Sequence, residues 1–307
     1  MRLRGDIQIS PSVASNGLRE CLTSGHFAVT AELTPPRGAD LTPLTTAVRA
    51  LAPAVSALNL TDGAGAKVRM ASLAAAIHVK QLGVDPILQV TCRDRNRIAI
   101  QGDVLGAAAF GIENVLILTG DRIGDDDDAK PVFDVDSRAV VTALRTMSDE
   151  GVTMSGSELT AAPDFFRGVA DMPIDPPASW APEGLTAKLE AGAQFVQTQY
   201  CFDMELLGRY MQRLAAHGLT ERLYVLVGLG PLPSAKRARW MRDALFGTII
   251  PDGVIRRLEA ARDPRHEGVR ICAELMQQAR EIDGVAGVHL MAPGRHDDVV
   301  EAIGLAG

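Results

Sequence analysis

The sequence predicts a closed eight-stranded parallel β/α barrel, and three observations support this fold class. Short apolar runs alternate with longer segments of helical periodicity, which is typical of a parallel sheet with helices between its strands. Eight such runs occur, the number of strands in a (β/α)8 TIM barrel. The chain has 307 residues, enough for one barrel of roughly 250 residues with short additions. A doubly wound open sheet is an alternative that periodicity alone does not exclude.

The predicted strands are mostly continuous apolar runs rather than alternating ones, as expected for strands that are covered on both faces. In chain order they are 27–32, 57–61, 86–91, 114–119, 166–170, 195–199, 223–228 and 287–291. We therefore expect residues 27–307 to form a single catalytic barrel domain. Residues 1–26 precede it as an N-terminal extension.

Helices are predicted between these strands from apolar spacings of three and four residues, and many end at a glycine. Their ranges are 41–51, 69–81, 97–110, 137–148, 185–191, 206–216, 235–245 and 268–282. Two segments interrupt the alternation. Residues 153–164 are predicted to be an inserted loop or a short helix. Residues 173–182 are proline-rich and follow the fifth strand, where they either contribute to a site or form a rigid surface connection.

The composition indicates a globular protein with an acidic charge balance. Hydrophobic residues make up 47% and the net charge is −7, so a global basic field for nucleic acid is absent. No run approaches the roughly 18 apolar residues of a membrane span, and no secretory signal is evident. The four cysteines are scattered, without a C-x-x-C pair. We expect a cytoplasmic protein with reduced thiols that binds neither nucleic acid nor a membrane.

Polar residues at the C-terminal ends of the predicted strands are the first candidates for an active site, because barrel enzymes build their sites there. Glu32 ends the first strand before a Pro-Pro turn, Asp121 follows the fourth strand, and Gln199 ends the sixth. Asp62 and Asp203 also follow strands, but a helix cap or a turn hydrogen bond explains them equally well. Glutamate is a poor cap, so Glu32 is the strongest functional candidate.

Glycine-rich turns give weaker signals. Gly63 and Gly65 follow a strand, but the third glycine of a G-x-G-x-x-G fingerprint would fall at Val68. A classical dinucleotide-binding turn is therefore not supported. The turn at 228–233 is compatible with close contact to a ligand or with a tight turn alone. Gly120, just before Asp121, can let a ligand approach the backbone.

Charged residues elsewhere show no metal-binding spacing, so no metal site is expected. The acidic run 125–128 is best explained as a solvated loop. His289 lies in the last predicted strand and faces either the barrel or the helix layer. Three arginines follow the third strand and either contact an anionic tail or pair with surface acids: Arg93, Arg95 and Arg97.

Taken in order, the strand-end motifs resemble the methylenetetrahydrofolate reductase family from about residue 27 to the C-terminus. The motifs are Glu32 with Pro35-Pro36, Leu60-Thr61-Asp62-Gly63, Val90-Thr91-Cys92, Leu118-Thr119-Gly120-Asp121, Lys130-Pro131, and Lys188-x-x-Ala191-Gly192-Ala193 leading to Thr198-Gln199. The resemblance implies a short, single-barrel bacterial enzyme that reduces 5,10-methylenetetrahydrofolate to 5-methyltetrahydrofolate. It also implies FAD, with FMN as an alternative, and NAD(P)H as co-substrate.

The resemblance assigns roles to individual residues. Glu32 matches the family's catalytic acid, and Asp121 matches the aspartate close to flavin and folate. Gln199 matches the glutamine that holds the pterin, with Tyr200 beside it as a further substrate contact. Flavin contacts are implied at Thr61, Gln89, Leu118, Thr119, Gly120, Asp121, Ala170 and Lys188.

These residue types suit the implied chemistry. The methylene bridge between N5 and N10 of the folate must open to an N5 iminium before it accepts hydride, and protonation of N10 helps it open. Burial favours the neutral form of a carboxyl, so Glu32 in an apolar barrel mouth could supply that proton. An ionised Asp121 would stabilise the cationic iminium. The Gln199 amide both donates and accepts, as the edge of a pterin requires.

Departures from the family pattern concern the redox cofactors more than the folate. Gln89 stands where the family commonly has histidine, and Thr119 stands in place of an arginine. Met172 and Pro176 replace a tyrosine and a histidine, and no aromatic residue is evident at 233–235. This pattern is similar to the catalytic subunits of acetogen-type reductases, which work with a partner protein. A homo-oligomer, a flavin-independent NAD(P)H reductase and a non-redox folate-binding subunit for methyl transfer or assembly are the alternatives.

Overall fold

The computed structural model describes residues 17–124, 129–177 and 179–307, in which eight parallel strands form a closed barrel. Sequential strands pair with one another, and β1 also pairs with β8, with Val29 opposite Val288. The predicted barrel is thus confirmed, and the open sheet is wrong because an open sheet has two unpaired edges. The strands are β1 Ala28–Leu33, β2 Ala57–Leu60, β3 Pro86–Thr91, β4 Asn114–Leu118, β5 Phe166–Asp171, β6 Phe195–Tyr200, β7 Tyr224–Leu229 and β8 Val285–Leu290.

Helices surround the barrel, and each predicted helix overlaps an observed one. They are α1 Leu18–Thr23, α2 Thr42–Leu51, α3 Ser72–Gln81, α4 Arg97–Ala109, α5 Ser137–Asp149, α6 Glu183–Ala191, α7 Met204–Ala216, α8 Ala235–Ala244, α9 Asp252–Ala260, α10 Pro264–Arg280 and α11 His296–Ala306. The sequence patterns missed α1, α9 and α11. Of these, α9 lies between the predicted helices α8 and α10, so three helices rather than two connect β7 to β8.

The short helix α1 packs into the core beneath the barrel. Leu18, Cys21 and Leu22 are buried against residues at the N-terminal ends of the strands. The amide of Leu18 donates to the Asp85 carboxylate at 2.9 Å, which ties the helix to the turn before β3. The predicted N-terminal extension therefore contributes to the barrel core from residue 18 onward. Residues 1–16, the rest of that predicted extension, lie outside the described residues.

The lower part of the barrel interior, at the N-terminal ends of the strands, is apolar. Phe166 and Phe195 stack with ring centroids 5.0 Å apart. Gly168 is required beside them, because an added Cβ would overlap the Phe195 ring. We call this set the lower layer: Ala28, Ala57, Ile87, Phe166, Phe195 and Leu226, all buried. It fills the interior as the packed core of a barrel should.

The two interrupting segments lie at opposite ends of the barrel. Residues 153–164 connect α5 to β5 without a helix, and Val152 and Glu158 form an antiparallel bridge there, so the loop alternative is confirmed. Residues 173–182 follow β5 at the C-terminal end. Asp175 pairs with Arg209 of α7 and Trp180 packs on Tyr210 of the same helix. None of the helices in the described ranges is long and apolar enough to cross a membrane.

Candidate active site

The three principal candidates lie at the same end of the barrel. Glu32 is the fifth of six residues of β1, Gln199 is the fifth of six residues of β6, and Asp121 is three residues beyond β4. In a parallel barrel all strand C-termini face one way, so all three side chains belong to the C-terminal face. Their assigned roles remain predictions.

Glu32 points into the barrel interior. Its Oε2 lies 3.4 Å from the amide Nε2 of Gln89 on β3, which donates to it, and 3.8 Å from Nε2 of His289 on β8. Strands β1 and β3 are not neighbours, so side chains on them can meet only through the interior. The Glu32 side chain is 18% exposed and His289 is 3% exposed. His289 therefore faces the barrel, which settles the alternative that the sequence left open.

Below Glu32 lies a buried set of hydrogen-bonded polar side chains, which we call the polar layer: Thr30, Asn59, Gln197 and His289. Asn59 Nδ2 donates to Gln197 Oε1 at 2.6 Å, and Gln197 Nε2 donates back at 3.1 Å. Gln197 Nε2 also reaches Thr30 Oγ1 at 3.3 Å, and Thr30 Oγ1 lies 3.0 Å from His289 Nδ1. The sequence reasoning missed Thr30, Asn59 and Gln197. The available signal was a polar residue inside an otherwise apolar strand.

Asp121 is exposed and is fixed by a neighbouring turn. Its Oδ2 accepts a hydrogen bond from the Gly65 amide at 2.7 Å. Gly65 follows β2, where it adopts a left-handed φ of +67°. Gly120 has a φ of +100°, and an added Cβ would lie 2.9 Å from Cβ of Arg93. The glycine is therefore needed for close packing against the end of β3, and the approach of a ligand at Gly120 stays a prediction.

Gln199 and Tyr200 lie at an irregularity of β6, where its register against β7 shifts between Gln197 and Tyr200. The Gln199 amide donates to the Phe246 carbonyl at 3.2 Å and accepts from the Tyr200 amide at 3.0 Å. The buried Tyr200 hydroxyl donates to the Met291 carbonyl at 2.7 Å, and burial raises its pKa. Tyr200 is thus buried against the end of β8, whereas Gln199 stays at the mouth. This placement gives Tyr200 a structural explanation, and its substrate contact remains a prediction.

The residues with implied flavin contacts lie around the same mouth. Thr61 is 4% exposed, and its Oγ1 has no hydrogen-bond partner among the described residues. Lys188 of α6 donates to the Ala170 carbonyl at 2.6 Å, so two of the residues with implied flavin contacts are in contact with each other. Leu118 is half-buried and Thr119 is exposed. The Thr61 hydroxyl is the one among them that is buried and available for a ligand.

The two weaker acidic candidates, Asp62 and Asp203, form the turn and helix-cap hydrogen bonds that the sequence allowed for them. Asp62 accepts from the amide and hydroxyl of Thr91 at 2.8 and 2.9 Å and pairs with Arg95. Asp203 caps α7, accepting from the Leu206 amide at 2.9 Å. Their side chains are therefore already engaged in turns and caps.

The turn after β7 is tight for reasons of packing. An added Cβ on Gly228 would overlap the Thr198 carbonyl, and one on Gly230 would overlap the Met291 carbonyl. These contacts are between neighbouring strand ends, β6 and β8. The glycines therefore have a structural explanation that needs no ligand.

The four cysteines are free and buried. Burial raises the pKa of Cys92 to about 11 and the pKa of Cys272 to about 12. These thiols are neutral at physiological pH, so they are poor nucleophiles. In the parts of the chain that the structure describes, no group of three His, Cys, Asp or Glu side chains could hold a metal ion. The acidic run 125–128 lies outside the described residues.

Comparison with solved structures returns barrels of the same kind. A Clostridium thermocellum protein that binds two copies of 5-methyl-5,6,7,8-tetrahydrofolic acid matches with a TM-score of 0.61 and 14% identity, over 94% of this chain and 97% of that one. DmoA from Hyphomicrobium sulfonivorans matches with a TM-score of 0.53 and 11% identity, over 90% and 86%. At these identities the likeness concerns the fold.

Comparison of sequences is more specific. The Caenorhabditis elegans protein named "Probable methylenetetrahydrofolate reductase (NADPH)" is 23% identical over 246 residues, which are 77% of this chain and 34% of that protein. The chain thus spans about a third of the length of that curated relative. Residues 17–304 match the family model for methylenetetrahydrofolate reductase. The match covers nearly the whole chain and includes every candidate described above, and the protein therefore belongs to the methylenetetrahydrofolate reductase family.

Proposed function

We propose that the protein reduces 5,10-methylenetetrahydrofolate to 5-methyltetrahydrofolate at the C-terminal face of the barrel. Family membership supports the reaction class, and one structural observation carries the proposal. Glu32 is a mostly buried carboxyl at the barrel mouth, with an amide and an imidazole within 3.4 and 3.8 Å of one oxygen. A carboxyl held in this way has a fixed orientation and can exchange a proton with a ligand above it.

Glu32 is the proposed general acid. It would protonate N10 of the folate, which weakens the bond between N10 and the methylene carbon and lets the N5 iminium form. Gln89 donates its amide hydrogen to one carboxyl oxygen, so the second oxygen remains for the proton that is transferred. The Glu32 side chain is partly open to the mouth, which is what contact with a substrate needs.

Asp121 is the proposed electrostatic stabiliser of the iminium. Its carboxylate accepts a hydrogen bond from the Gly65 amide, and the residue is exposed in the part of the chain that the structure describes. A fixed negative charge costs no reorganisation when positive charge develops on the substrate.

Gln199 is the proposed pterin contact. Its amide nitrogen uses one of two hydrogens on Phe246, and its oxygen uses one of two lone pairs on the Tyr200 amide. One donor and one acceptor remain, which suits the mixed edge of a pterin.

The electron source is proposed to be NAD(P)H acting through FAD. Members of the family generally use a flavin and NAD(P)H, and a bound flavin would relay hydride to the iminium carbon. The buried Thr61 hydroxyl without a partner fits such a ligand, because a buried hydroxyl without a hydrogen bond is unfavourable. Lys188 and Thr119 would line the same site.

A flavin-independent reductase is the second candidate, and one observation favours it. Gln89, at a position where the family commonly has histidine, donates to Glu32 rather than facing a separate cofactor site. Direct transfer from a nicotinamide would keep the same roles for Glu32 and Asp121.

An anaerobic absorption spectrum of the purified protein, before and after addition of 5-methyltetrahydrofolate, tests both candidates. Absorption bands near about 370 and 450 nm that bleach with the folate support the flavin-dependent enzyme. No bands, with NADH or NADPH oxidised in proportion to methylenetetrahydrofolate, support the direct reductase. Tight folate binding without turnover, even with reduced methyl viologen as donor, would overturn both in favour of a folate-binding subunit.

A further inference from the structure

The loop after β3 explains the three arginines that the sequence left ambiguous. Arg97 pairs with Asp134 at 2.8 Å, and Arg95 pairs with Asp62 and with Asp103. The surface-acid interpretation is therefore confirmed for these two. Arg93 differs from them, because it is 2% exposed and its contacts reach the candidate site.

The Arg93 guanidinium joins three loops. It donates to both carboxylate oxygens of Asp94, at 2.7 and 2.6 Å. Its remaining N–H groups donate to the Asp121 carbonyl at 3.2 Å and the Gly63 carbonyl at 3.2 Å. The hydrogen bond that Arg93 donates to the Asp94 carboxylate raises the pKa of Arg93, so the group stays cationic. A planar guanidinium can hold a carboxylate and two carbonyls at once, whereas an ammonium on a flexible stem cannot fix the same geometry.

Asp121 is held at three points by this arrangement. Arg93 binds its carbonyl, Gly65 binds its carboxylate, and Gly120 allows the backbone to pack on Cβ of Arg93. The main chain of Arg93 also accepts a hydrogen bond from the Val132 amide at 2.7 Å. Arg93 therefore attaches the start and the end of the long connection between β4 and α5 to the end of β3.

We propose that Arg93 is a positioning residue for Asp121, holding its carboxylate where positive charge develops on the folate. The inference rests on the proposed function of Asp121. A charge stabilises a transition state only if it is fixed in advance, and a displacement of about 1 Å can cost on the order of 100-fold in rate. Arg93 itself touches no substrate in this proposal.

A double-mutant cycle tests it, with folate turnover measured against reduced methyl viologen so that the natural donor does not matter. Arg93→Met should lower kcat about 10- to 100-fold, with a smaller change in the KM for methylenetetrahydrofolate. In an Asp121→Asn background the carboxylate charge is already absent, so the same substitution should lower kcat by less than about twofold. A change of that size is no larger than the uncertainty with which independent effects add. Arg97→Met removes a charge from the same loop without contact to Asp121, and serves as the matched control.

The outcomes separate the two proposals. If Asp121→Asn reduces kcat but Arg93→Met causes the same loss in both backgrounds, Arg93 has only a general structural role and the inference is wrong. If Asp121→Asn leaves kcat unchanged, the proposed function of Asp121 fails first. Arg93→Lys keeps the charge and provides a variant that folds if the methionine variant does not. Wild-type kcat in Arg93→Lys would overturn the inference, because the geometry of the guanidinium would then be dispensable.

Discussion

The lower layer and the polar layer of the barrel interior are both buried and share strands β1, β2 and β6, yet one is apolar and the other is polar. Ala28 and Phe195 lie in the apolar lower layer, and Thr30 and Gln197 lie two residues further along the same strands. Two residues are one repeat of strand alternation, so all four side chains point inward. The interior thus changes from packed apolar side chains to hydrogen-bonded polar groups within one repeat, and the polar side is the one next to the candidate site.

The two layers depend on different forces. The lower layer gains free energy from removal of apolar surface from water and from close ring contact. The polar layer gains little from burial, because each amide or hydroxyl must replace its bonds to water with bonds to protein. A buried polar layer is therefore stable only when its groups are paired. Its position directly beneath Glu32 suggests that it is kept to orient the acid.

The largest effect, on folate turnover, is expected just above the polar layer, from Glu32→Gln. Loss of a general acid should lower folate turnover by about 10²- to 10⁴-fold, while the melting temperature stays close to that of the wild type. Steady-state kinetics and a thermal melt check both. Glu281→Gln, an exposed glutamate at the other end of the barrel, is the matched control. Undiminished turnover in Glu32→Gln would show that Glu32 is not the general acid.

In the lower layer, Phe195→Ala should act on stability rather than on chemistry. Removing a buried ring leaves a cavity and should cost about 3–5 kcal/mol of unfolding free energy, measured by urea denaturation. The control is Phe110→Ala, because Phe110 is half-exposed at the C-terminal end of α4. It should change the unfolding free energy by less than about 0.5 kcal/mol. A large loss of turnover in the folded Phe195 variant would contradict the division between the layers.

A smaller effect is expected within the polar layer, from Asn59→Leu. It leaves the buried Gln197 amide without its reciprocal partner and should cost about 1–3 kcal/mol. The double variant Asn59→Leu/Gln197→Leu removes both groups and should be more stable than Asn59→Leu alone. Denaturation curves of the three proteins decide this, and equal stability of the single and double variants would show that pairing does not govern the layer.

The smallest effect is expected outside the interior, from Asp203→Ala. Loss of the cap of α7 should cost about 1 kcal/mol with kcat unchanged. Asp203→Asn retains a side-chain acceptor and should recover most of that free energy. A drop in kcat with unchanged stability would instead return Asp203 to the list of functional residues.

Much of the fold could be predicted because continuous apolar runs and glycine stops mark strands and helices locally. Helix α9 was missed because a third helix in the connection after β7 departs from the alternation of strands and helices, and α11 because the alternation was followed only to the last strand. Helix α1 was missed because its burial depends on contact with residues at the barrel bottom. The positions of Glu32, Asp121 and Gln199 at one end followed from the strand count.

The polar layer could not be predicted, because Asn59 and Gln197 come from strands that are not neighbours and meet only when the barrel closes. Likewise, nothing local indicates that Arg93 contacts Asp121, 28 residues away.

The pairing of β1 with β8 determines when the site can assemble. Thr30 and His289 are separated by 259 residues, so the imidazole beside Glu32 leaves the ribosome long after Glu32 itself. Until β8 is synthesised, the groove that becomes the barrel interior is open to water and Glu32 has no imidazole beside it. At about 5–20 residues per second, the nascent chain spends tens of seconds with its acid synthesised but unsupported. The proposed acid therefore acquires its imidazole neighbour only after β8 has been synthesised.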